Sequence, residues 1–255
     1  LGGRYTEDDK SSAVTDVLTP GLLEAGGPGN PCKASWSEFT PKAGLRYRIS
    51  DDAMAYLLYS KGFRAGGYNG RPGGGEYISA TTPYSPETVD NFEIGLKSEW
   101  LDGNLRLNVS AFSMQYEDKQ EEQSVPTAGG TGQQTLVVNA SEAKIQGLEA
   151  DFSWKISDAF TIKGNLGLLD AEYDELSDPS TGTDLTYLSL RRAPDMTATI
   201  TPVLTLPRGP GMLSARASLR FVDDMELTFL NSPQSGVNSH TTLDASVTYS
   251  WDNFR

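Results

Sequence analysis

Leu148-Glu149-Ala150-Asp151-Phe152-Ser153-Trp154-Lys155-Ile156 alternates apolar and polar residues without a break. Period two is a strand signal, because successive side chains of a strand leave opposite faces. Four other stretches repeat it. Their apolar positions are Ala43, Leu45, Tyr47, Ile49; Phe92, Ile94, Leu96, Ser98, Trp100; Leu213, Ala215, Ala217, Leu219, Phe221; and Leu243, Ala245, Val247, Tyr249, Trp251. None of these residues is charged. The opposite positions carry Lys42, Arg46, Arg48, Glu93, Lys97, Glu99, Glu149, Asp151, Lys155, Arg216, Arg220 and Asp244.

A soluble β-sandwich, as in an adhesin or sugar-binding module, would also alternate, so strand length and connections decide the class. Working outward from the five cores gives about ten strands, several of roughly 12 to 20 residues, against about five or six in globular sheets. Such lengths suit tilted strands that cross a bilayer and project beyond it. Connections alternate between short and long. Ser50-Asp51-Asp52, Asp102-Gly103-Asn104, Ser157-Asp158 and Pro207-Arg208-Gly209-Pro210-Gly211 are short and rich in turn formers. Long polar segments lie at about 11–34, 65–86, 123–133, 175–191 and 223–239. Short turns therefore share one rim and long loops the other, the pattern of a barrel with periplasmic turns and extracellular loops. Trp100, Trp154, Phe160 and Trp251 cluster beside the short turns, as an interfacial aromatic belt would. The expected fold is all-β: an antiparallel up-and-down transmembrane β-barrel, here an open partial barrel of about ten strands. Two strands are less regular. The apolar parity changes near Ala111-Phe112, and Ala53 to Phe63 is apolar on both faces, from a bulge or from the strand leaving the membrane.

Composition excludes several classes. A net charge of −13 argues against nucleic acid as a partner, since phosphate binding needs clustered, unmatched cations. The longest apolar run, Ala53 to Tyr59, is far too short for a membrane helix. Cys32 is the only cysteine and His240 the only histidine, so no internal disulfide, multi-histidine metal site or cofactor is expected. Adjacent carboxylates at Asp8-Asp9, Asp51-Asp52, Glu121-Glu122 and Asp223-Asp224 lie in or beside loops, so successive side chains diverge instead of flanking one bond. Gly66 to Gly75 lacks the Lys-Ser/Thr of a phosphate loop and reads as an extracellular loop. No catalytic constellation emerges, and an enzyme is not expected. Arg64, Tyr68, Asn69, Arg71, Tyr77 and Tyr84 are the candidate ligand contacts, because Arg and Tyr suit anionic, aromatic or sugar-like ligands.

The segment from Tyr56 through Ser60-Lys61-Gly62-Phe63-Arg64-Ala65-Gly66-Gly67-Tyr68-Asn69 resembles a strand-to-loop signature of TonB-dependent receptors of the ferric-siderophore type. Tyr84 to Lys97, Ile145-Gln146-Gly147-Leu148-Glu149-Ala150 and Thr242 to Tyr249 resemble later strands of that family, in the same order. The resemblance implies a 22-stranded barrel with a plug in its lumen. Residues 1–255 would be part of the barrel domain, with the plug and its TonB box, the early strands and about the last two strands lying outside. It also implies outer-membrane lipid around the wall, the TonB energy-transducing complex as a partner through the plug, and a scarce extracellular ligand such as a ferric siderophore. Cobalamin, haem and oligosaccharides use the same barrel type. A passive outer-membrane porin is the alternative function.

Overall fold

The computed structural model describes residues 1–13, 32–69, 82–126, 132–178 and 181–251. Its strands are β1 (Gly2–Ser12), β2 (Cys32–Ser50), β3 (Ala53–Arg64), β4 (Glu87–Trp100), β5 (Leu105–Pro126), β6 (Gln133–Lys155), β7 (Phe160–Leu176), β8 (Met196–Arg208), β9 (Gly211–Val222), β10 (Met225–Glu226), β11 (Gly236–Val237) and β12 (His240–Trp251). Ten of them form one antiparallel sheet in the order β1 to β9 followed by β12, while β10 and β11 pair with each other. The result is the expected open partial barrel. No helix among the described residues is long and apolar enough to cross a membrane, which says nothing against crossing by strands.

Register joins the five apolar stretches into one surface. Residues directly opposite each other in an antiparallel pair share a face. One such row runs Leu45, Leu57, Ile94, Ala111, Leu148, Leu168, Met196 across seven strands. The next runs Tyr47, Ala55, Leu96, Val109, Ala150, Leu166, Ala198, Phe221, Thr241. Among the described residues nothing covers this face: Leu45, Phe92 and Val247 are 65%, 60% and 72% exposed. From Phe92 to Trp100 the apolar stretch of β4 covers nine residues, the number a tilted strand needs to cross a bilayer core. Beyond it the row Lys61, Asp90, Gln115, Lys144, Glu172 turns polar.

Two irregularities expected from the sequence have other causes. At Ala111-Phe112 the ladder is unbroken, and β3 pairs with β4 without a shift from Ala53 to Arg64. Phe112, Leu58 and Met54 are apolar residues on the polar face. The real bulge on β5 lies between Tyr116 and Lys119, with Asp118 at a φ of 52°. The segment at 123–133 is mostly strand, since β5 reaches Pro126 and β6 starts at Gln133. Cys32 is the first residue of β2, with a free and half-buried thiol.

Aromatic rings lie across glycines on neighbouring strands, as Phe112 does opposite Gly147. Tyr56 stands opposite Gly95, where an added Cβ would come within 2.4 Å of its ring. Phe152 stands opposite Gly164 in the same relation, also at 2.4 Å.

Candidate functional site

β5, β6 and β7 outlast their neighbours at the long-loop rim, because their strands run 22, 23 and 17 residues. Above the membrane-length part they form a platform against which connections fold. Its apolar core joins Ala143 and Tyr173, directly opposite each other, to Leu176, to Leu185, Leu188 and Leu190 of the connection after β7, and to Phe229. Ala143 shares the strand parity of Gly147, Glu149 and Asp151, so these connections fold over the polar face, inward across the barrel mouth.

A buried ionic cluster fastens this fold. Glu121 of β5 is 1% exposed. It accepts hydrogen bonds from Tyr173 Oη at 2.9 Å, from Arg191 Nη2 at 2.7 Å and from Lys119 Nζ. Burial alone would raise the Glu121 pKa, but the charges and hydrogen bonds of Lys119, Tyr173 and Arg191 outweigh it and hold the carboxyl below its ordinary range. Burial, then the Glu121 charge and hydrogen bond, push the Tyr173 hydroxyl well above its ordinary value. The exposed Glu122 points away from Glu121, as alternation on a strand requires.

The base of the 65–86 connection sits beside this cluster. Gly67 and Tyr84 bridge through two backbone hydrogen bonds, Gly67 N to Tyr84 O at 3.2 Å and Tyr84 N to Gly67 O at 2.8 Å. Gln120 Nε2 donates to Ala65 O at 3.1 Å and to Ser85 O at 3.0 Å, and Lys10 Nζ donates to Gly66 O at 2.7 Å. Asn69 imitates a strand: its Oδ1 accepts from Val137 N at 2.7 Å and its Nδ2 donates to Val137 O at 3.0 Å. Asn139 clamps Ser85 from both sides, at 2.6 Å and 2.9 Å.

The structure therefore gathers Arg64, Tyr68, Asn69 and Tyr84 at one rim, where Arg64 is exposed and Tyr68 and Tyr84 are half-buried. Burial, then nearby Cys32, raise the Tyr68 pKa. Arg71 and Tyr77 lie outside the described residues. Sequence reasoning missed Glu121, Lys119, Tyr173 and Arg191 as a unit. Glu121 carried only the weak signal of lying in a continuing alternation, and nothing local points from it to Arg191.

The family model described as "TonB dependent receptor-like, beta-barrel" matches residues 1–255. The chain belongs to this family. Members of this TonB-dependent receptor family are transport receptors of the bacterial outer membrane, not enzymes. Among curated relatives, the ferripyoverdine receptor of Pseudomonas aeruginosa is 27% identical over 171 residues, covering 64% of this chain and 18% of the relative. The metal-pseudopaline receptor CntO of the same species is 28% identical over 136 residues, 52% of this chain and 17% of the relative. The chain thus spans about a fifth of the curated relatives it matches. Among solved structures, the ferric yersiniabactin uptake receptor FyuA of Yersinia pestis matches with a TM-score of 0.71 at 20% identity, covering 96% of this chain and 34% of that one. The siderophore receptor PiuA of Acinetobacter baumannii matches with a TM-score of 0.65 at 19% identity, covering 97% and 33%. These likenesses show the TonB-dependent receptor barrel fold.

Proposed function

We propose that this chain is part of the barrel wall of an outer-membrane receptor that takes up a scarce ligand, a ferric siderophore complex, under energy from the TonB system. The match of the receptor-barrel family across residues 1–255 carries the reading. Relatives named for ferripyoverdine and metal-pseudopaline support the ligand class. The apolar face meets lipid, and the long-loop rim is extracellular, where the ligand first binds. Arg64, Tyr68 and Tyr84 are its contacts there, with Asn69 fixing the base of the connection that Tyr84 closes and Arg71 and Tyr77 as further contacts that the sequence offers. The barrel offers binding and a wall, not catalysis. The remaining part of a longer receptor supplies the plug and its contact with TonB. The family match does not favour the alternative of a passive porin.

Iron-starved cells expressing the full receptor are given a panel of radiolabelled ferric siderophores. Uptake of one of them is expected, together with its loss, at unchanged surface binding, when a protonophore collapses the proton gradient. Uptake that survives the protonophore would overturn the energised reading in favour of a porin.

A further inference from the structure

Above the membrane β5 and β6 part from their neighbours. The ladder between β4 and β5 ends at Thr88 opposite Glu117, and the ladder between β6 and β7 begins at Ser141 opposite Leu176. Past these limits, 119–126 forms a ladder only with 133–141 among the described residues. A two-stranded ribbon is marginal in water unless something packs against it. This one has little apolar surface of its own to bury, since its first strand reads Lys119-Gln120-Glu121-Glu122-Gln123-Ser124-Val125-Pro126. Gln120, Glu121 and Gln123 are nevertheless buried.

The burial comes from two connections that grip the ribbon on opposite faces, as consecutive strand residues require. Gln120 and Asn139, directly opposite each other, both hold Ser85 of the 65–86 connection, and Asn69 of the same connection pairs with the backbone of Val137. Glu121, one residue on, holds Arg191 of the connection after β7. The bulge sets this division. Tyr116 stands opposite Ala143 and Lys119 opposite Ser141, so one extra residue moves the odd positions of β5 onto the face that the even ones held.

We propose that this ribbon is a shared clasp, ordered while both connections grip it, so that releasing either connection loosens the other. The ribbon is a two-state element whose equilibrium both grips bias, and such coupling is reciprocal. Its consequence for uptake rests on the reading of Arg64, Tyr68 and Tyr84 as ligand contacts. Those residues lie at or beside the Gly67–Tyr84 bridge, at the base that the ribbon holds. Glu121 and Arg191 are then positioning residues for them, acting through the ribbon.

Amide hydrogen exchange in the full receptor, without ligand, tests the clasp. Asn69→Ala and Arg191→Gln each release one grip, and neither residue lies on the ribbon. Arg191→Gln is expected to speed exchange at 84–87 about fivefold or more, and Asn69→Ala to do the same at 185–193, with 197–206 in the wall unchanged. Arg191→Lys keeps the charge beside Glu121 and should bring both segments back together. Faster exchange confined to the connection that carries the substitution would overturn the clasp. So would a rise along the whole wall, or recovery of 185–193 in the Lys variant without recovery of 84–87. These rates are read with no ligand present, so failure of every siderophore to enter counts against the uptake reading alone.

Discussion

Arg191, on the connection after β7, donates from Nη2 to Glu121 of β5 at 2.7 Å, 70 positions away in the chain. The pair ties a connection that folds over the mouth to the most extended strand pair of the wall. Glu121→Gln leaves Arg191 and Lys119 without their counter-charge, and losing one member of a buried ion pair costs on the order of 3 kcal/mol. Hydrogen exchange across 185–193 is therefore expected to rise in the Gln variant of the full receptor, with the membrane-length part of β6 and β7 unchanged. Unaltered protection of that segment would show that the apolar contacts of Leu185, Leu188 and Leu190 hold it alone.

The same carboxylate sets a pH dependence. Its pKa is lower in the fold than in the unfolded chain, so its contribution is complete above the ordinary Glu value of about 4.3 and fades as pH falls through the lower folded value. Protection of 185–193 should hold from neutral pH to about 4.5 and drop only in stronger acid. Exchange measured along a pH series, corrected for the intrinsic rate, checks this. A loss centred near pH 6 would mean that another group controls the segment.

Facing can be read by labels in the full receptor. Spin labels at Ala150, Phe152, Ala217 and Ala245 are expected to report a lipid environment, and labels at Asp151, Ser218 and Ser246 an aqueous one. The register puts Ala217 and Ala245 directly opposite each other, so these two must agree. The reverse pattern would turn the wall inside out.

Sidedness follows from the connections. An epitope tag at Thr181, in the long connection after β7, should be reached on intact cells. Tags at Asp102 or Ser157, in short turns, should need permeabilised cells. Surface labelling of Asp102 would invert the topology.

The wall was legible in the sequence and the mouth only in part, for a physical reason. A lipid-facing strand must be apolar at every second residue, and that demand is local, so Leu148 to Ile156 discloses its face unaided. Short turns such as Asp102-Gly103 likewise announce themselves through residues that tolerate positive φ, 54° and 82° here. Above the membrane the demand disappears. Glu121 is satisfied by a partner from a distant connection, and no periodicity records that choice. The parity change near Ala111-Phe112, for which a bulge or the exit from the membrane are the two causes the sequence offers, comes from neither: Phe112 is apolar but lies on the polar face, hydropathy does not report orientation, and the bulge of β5 is at Asp118. Arg64, Tyr68, Asn69 and Tyr84 were found together because they lie on one strand-to-loop segment and its return.

Gly95→Val forces a side chain into the Tyr56 ring. Overpacking of this kind costs about 1–3 kcal/mol. The full receptor should lose its compact gel mobility at a lower temperature, and adding Tyr56→Ala should recover much of the difference. No recovery would show that Gly95 is required for its backbone and not for the space above it.

The pairing of Tyr56 with Gly95 and of Phe152 with Gly164 supplies information that alternation cannot. A strand displaced by one residue exchanges its two faces and is rejected by lipid at once. A strand displaced by two keeps every apolar residue toward lipid, so the membrane cannot tell the error from the correct alignment. A ring seated over a missing side chain can, since after a two-residue slip it meets a filled position. Such tooth-and-notch contacts let an assembling hairpin proofread its own alignment, one pair at a time.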